Sequence, residues 1–183
     1  MNECFDKYIM AGRLINDISL DDLSNIYKRK VLDLISLLQF KTIVFDFDGT
    51  LDEFKYTENK LLPCKDDDLY EYSKNNNIYE NAKVLRTMQY VINEIDINNV
   101  YVLTVTVDTL KQKKLDFILK NFNIKKENII QVANSNEKMK VLMDLYIKTN
   151  KKIIFLEDTA KTLLNAEEQF DFVKGYHISS LIP

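Results

Sequence analysis

The chain has 183 residues, 46% hydrophobic and 29% charged, with a net charge of −3 at neutral pH. That length suits one domain with a proper core and is short for two, and the composition is ordinary for a globular protein. The acidic balance argues against a nucleic-acid backbone as main partner without excluding a local basic patch, and no apolar run reaches the roughly 18 residues a membrane span needs.

Residues 1–40 read as helical. A second helix is expected to start near Ser19, where Ser-Leu-Asp-Asp resembles a capping box, and to carry an apolar face through Leu23, Val31, Leu34 and Leu38. This segment is expected to be an extension packed on the core, with a dimerisation or specificity element as the sharper alternative. From residue 41 onward, short apolar runs alternate with helical stretches. That pattern predicts an α/β fold with a mostly parallel sheet. Strands are expected at 42–47, 100–104, 128–132, 152–156 and, more weakly, 171–173, with helices at 81–94, 109–121, 137–149 and 160–168. The carboxyl ends of such strands open on one edge, where ligands bind near the reversal of strand order.

Cys4 and Cys64 have no CxxC spacing and no histidine cluster near them, so a reduced, cytoplasmic chain without disulfides or signal peptide is expected. A lone histidine, His177, leaves no basis for a histidine-rich metal site, and a structural role is expected for it.

The most informative segment is Ile43-Val44-Phe45-Asp46-Phe47-Asp48-Gly49-Thr50. An apolar strand runs into two aspartates spaced to share one side of an extended chain, and one of only three glycines follows at the turn. Paired carboxylates are most often solvated, but these end a strand that reads as buried, where mutual repulsion and desolvation are costly. A cation is the usual relief. Three further features occur in order. The apolar run 100–103 ends in the hydroxyl of Thr104, with Thr106 as second choice. Lys138 opens a helix, with Lys140 as competitor in the wrong register. The apolar run 153–156 ends in Glu157-Asp158.

Together these residues resemble the haloacid dehalogenase (HAD) superfamily in its phosphatase form. The resemblance spans Ile43 to Asp158 and rests on the order of the motifs, since any one of them alone is common. It implies a Rossmann-like three-layer sandwich: a core over 41–183, with a small cap or flap inserted at 53–80. It implies Asp46 as nucleophile and Asp48 as general acid and base. Thr104 and Lys138 would bind phosphate beside backbone amides around Phe47 and Gly49. Mg²⁺ would be held by Asp46, the carbonyl of Asp48 and Asp158. The activity implied is phosphomonoester hydrolysis through an aspartyl-phosphate. An open site of this kind suits a phosphorylated small molecule or nucleotide, with nucleic-acid 3′ ends or phosphoproteins as alternatives. A catalytically weak binding protein of the same fold and a phosphomutase are further readings. The family often places another acid four residues after the metal ligand; Thr162 stands there, and Glu157 is the candidate to compensate.

Overall fold

The structure is a computed structural model, and it describes residues 25–53, 55–57, 60–61 and 71–178. Five strands form its central sheet: β1 (Thr42–Phe45), β6 (Val100–Val105), β7 (Ile129–Val132), β8 (Ile153–Glu157) and β9 (Val173–His177). Their order is β7-β6-β1-β8-β9, and every neighbouring pair is parallel. The chain moves outward from β1 through β6 to β7, then returns to the other side of β1 for β8 and β9. Strand order therefore reverses at β1, with β6 and β8 as its two neighbours.

Burial on both faces explains why the central strands read as continuous apolar runs. Ile43 and Phe45 point into one core with Val100, Val102, Ile154 and Leu156, while Val44 points into the other with Leu103, Ile153 and Phe155. Helices α1 (Asn25–Leu38), α2 (Arg86–Asn93) and α3 (Lys111–Asn121) supply the first core through Val31, Val91 and Ile118. Helices α4 (Ser135–Thr149) and α5 (Ala160–Gln169) supply the second through Leu142 and Ala166. The first face also takes up Leu34 and Leu38, so the described part of the N-terminal segment packs on the sheet. The helix start expected near Ser19, the rest of 1–24 and both cysteines lie outside the described residues.

Several boundaries differ from the sequence expectation. The helix expected over 81–94 begins at Arg86, because Lys83–Val84 form β5 and pair antiparallel with β2 (Asp52–Glu53). The Leu85 amide donates to the Leu51 carbonyl at 2.9 Å and holds that crossing. A second hairpin pairs β3 (Lys55–Thr57) with β4 (Lys60–Leu61). Strand β9 runs to His177 instead of ending at 173; its Lys174, Gly175 and Tyr176 are too polar or small to register as an apolar run. Helix α4 starts two residues before the expected position, where the Asn134 side chain accepts from the amides of Asn136 and Glu137.

No described helix is long and apolar enough to cross a membrane. The fold predicts a sharp sensitivity at Phe155, which is fully buried in β8 between α4 and α5. Phe155→Ala should cost about 3–5 kcal/mol, read as a lowered urea midpoint with unchanged slope.

Candidate active site

Asp46 follows the last residue of β1, and its amide continues the ladder by donating to the Leu156 carbonyl at 2.8 Å. Its buried carboxylate meets Lys138 Nζ at 2.7 Å, and the same ammonium meets Glu157 at 2.8 Å. Lys138 projects from the first turn of α4, a position fixed by the Asn134 cap and by Glu137, whose carboxylate accepts from the Ala133 amide. Lys140 is exposed, as its register required. Burial opposes the charge on Lys138, but Asp46 and Glu157 more than offset it and hold its pKa above the ordinary lysine value.

Asp158 completes the cluster. Ligand atoms of Asp46, Glu157 and Asp158 all lie within 4.8 Å of one another. Three carboxylates then face one ammonium, and desolvation makes that imbalance costly. Burial first, then the Asp46 charge, raise Glu157 well above the usual carboxyl range and Asp158 to about 6. A hard divalent cation bound through carboxylate oxygens fits this donor set. Gly49 lies against the cluster with φ +76°, and a Cβ there would overlap Asp158 Oδ2. At the far edge, His177 Nε2 lies 2.5 Å from the Asp158 carbonyl; because a carbonyl can only accept, this nitrogen carries the proton.

Asp48 sits in a different setting. The strand ends at Phe45, so the rule that alternate residues share a side no longer governs the pair. Lys138 reaches Asp46 from α4 on one face, whereas Asp48 is gripped from the other face. Lys114 of α3 lies 2.5 Å from Asp48 Oδ2, and the Tyr79 hydroxyl donates to Asp48 Oδ1 at 2.8 Å. Lys114 also donates to Thr104 Oγ1 at 2.9 Å and to the Val105 carbonyl at 2.8 Å. Beneath them Asp52 is fully buried with neither carboxyl oxygen hydrogen-bonded among the described residues. Burial, then the Asp48 charge, raise its pKa strongly and favour the protonated form.

The sequence-predicted residues thus fall into two linked groups: Asp46, Lys138 and Asp158 in one, Asp48 and Thr104 in the other. The Phe47 ring is core, packed against Tyr79, Phe117 and Phe122. The Gly49 amide donates to the Asp52 carbonyl at 3.1 Å, inside the turn. Thr106 lies just beyond β6, its hydroxyl buried and unpartnered among the described residues. Glu157 joins the cluster where Thr162 does not. The sequence does not single out Lys114 or Tyr79, since a lysine in a lysine-rich helix and a tyrosine in a polar insert carry no local signature.

No protein-family model matches the chain, and comparison with curated proteins and with solved structures finds no match either.

The raised carboxyl groups fix the sign of a pH effect. An acid whose folded pKa exceeds its unfolded value stabilises the fold when protonated, and that stability is lost as pH rises through the folded pKa. In chelator, the site's contribution to stability should fall as pH climbs from near 3.8 through about 6. A divalent cation held by this cluster would bind the ionised set, so added Mg²⁺ should raise the Tm at about pH 7.5 and add little at about pH 5. Scanning calorimetry against Asp158→Asn isolates the effect; an equal Mg²⁺ shift at both pH values would contradict it.

Proposed function

We propose that the protein is a Mg²⁺-dependent phosphomonoesterase of the HAD type with a Rossmann-like core and a minimal cap. The observation that carries this reading is the Lys138 ammonium bridging Asp46 and Glu157 beside Asp158, at the sheet edge where strand order reverses. Asp46, Lys138 and Asp158, far apart in sequence, meet there, which supports the resemblance. The short antiparallel strand pairs after the aspartate pair support a small flap rather than a large lid.

In this reading Asp46 attacks phosphorus in line and forms an aspartyl-phosphate, and the leaving oxygen takes its proton from Asp48. Asp48 then takes a proton from the water that hydrolyses the intermediate. Lys138 pairs with the Asp46 carboxylate and offers positive charge to the phosphoryl oxygens. Thr104 accepts from Lys114 through a lone pair, while its own proton is poorly spent on the Val105 carbonyl at 3.4 Å. That proton is available for a phosphoryl oxygen. Mg²⁺ would be held by Asp46, Asp158 and the Asp48 carbonyl, with Glu157 close by, and would neutralise charge on the phosphoryl group. The substrate is a phosphorylated small molecule or nucleotide, consistent with the acidic chain and small flap.

Phosphate release from an aryl phosphate should require Mg²⁺, and Asp46→Asn should lower kcat by at least ~10³-fold without loss of fold by circular dichroism. A folded Asp46→Asn protein of undiminished activity, or no metal-dependent release across a broad phosphoester panel, overturns the proposal.

A further inference from the structure

Lys114 is buried to 1% exposure on a helix that otherwise presents several exposed lysines. A buried ammonium is costly unless its donors are met. Here they are met completely: its three N–H groups have three acceptors, Asp48 Oδ2, Thr104 Oγ1 and the Val105 carbonyl. The Phe47 and Tyr79 rings lie 5.9 and 5.8 Å from the same nitrogen and enclose it. A lysine with every proton committed has none to offer a substrate. It acts on what it holds.

What it holds is one oxygen of Asp48, while the Tyr79 hydroxyl holds the other. Both groups donate, so they orient the carboxylate as an acceptor. Each oxygen keeps a second lone pair for a further proton. Tyr79 belongs to the turn Ile78–Glu80 that closes the insert, and Lys114 to α3, so the clamp joins two elements around the aspartate.

We propose that Lys114, with Tyr79, is the positioning residue that sets the Asp48 carboxylate for the water-activating half of the reaction. This rests on the phosphatase reading above. In that half, a water oxygen forms a bond to phosphorus of phosphorylated Asp46, and Asp48 takes the water's proton. The bond between phosphorus and the Asp46 oxygen breaks, and its electron pair returns to that carboxylate. Phosphate leaves. Formation of the intermediate from an activated ester does not need the clamp, because a nitrophenolate departs without a proton.

The test is steady-state and rapid-quench kinetics on the full chain with p-nitrophenyl phosphate and Mg²⁺, comparing wild type with Lys114→Met, Lys114→Arg and Tyr79→Phe. Loss of base positioning should slow breakdown of the intermediate. For Lys114→Met, kcat should fall at least ~tenfold further than kcat/KM, and nitrophenolate should appear in a burst approaching one per site. Lys114→Arg should recover part of kcat. Tyr79→Phe removes a single hydroxyl and should show the same split more weakly, which decides the matter if Lys114→Met does not fold. A merely structural role would lower kcat and kcat/KM together without a burst, and that result in the folded variants overturns the proposal. Active wild type with folded variants that show no such split refutes the clamp alone; wild type without Mg²⁺-dependent release refutes the phosphatase reading and the clamp with it.

Discussion

The ion contact of Lys138 with Asp46 and Glu157 is the constraint on which the site depends. A carboxylate at the end of a buried strand has no solvent to stabilise it, and a neighbouring second carboxylate makes matters worse. One ammonium brought by α4 across the sheet edge serves both. It does too little for Asp158, where burial and the Asp46 charge keep the pKa raised to about 6. The cluster is thereby left short of positive charge, and a divalent cation would redress it.

A second lysine divides the work. Asp46 and Asp48 are two residues apart, yet their partners come from opposite layers of the molecule: α4 on one face, α3 and the Tyr79 turn on the other. The end of β1 at Phe45 and the turn at Gly49, with φ +76°, make that separation sterically available. Each aspartate thus has its own charge environment. Neighbouring carboxylates assigned different chemical roles need such separation.

The sheet and its helices were largely legible because the central strands are buried on both faces and written as unbroken apolar runs, Val100–Val105 being the clearest. The order of Asp46, Thr104, Lys138 and Asp158 at strand ends was legible for the same reason, since each follows or faces such a run. The short pairs β2 and β5 were not, because two-residue strands have no periodicity and rest on tertiary hydrogen bonds such as Leu85 to Leu51. Lys114 was hidden among Lys111, Lys113 and Lys120 on the same helix, where only the fold distinguishes a buried ammonium from solvated ones. Likewise, the expectation that Asp46 and Asp48 share one side failed because strand geometry was extended past the strand's end.

In the proposed reaction Asp46 carries the phosphoryl group. Acid-quenching the protein during turnover of p-nitrophenyl phosphate with Mg²⁺, then mapping acyl-phosphate by mass spectrometry after borohydride reduction, addresses it directly. Modification confined to the peptide containing Asp46 is the expected result. Turnover with modification at another residue, or with none at Asp46 under conditions where the intermediate accumulates, would contradict it.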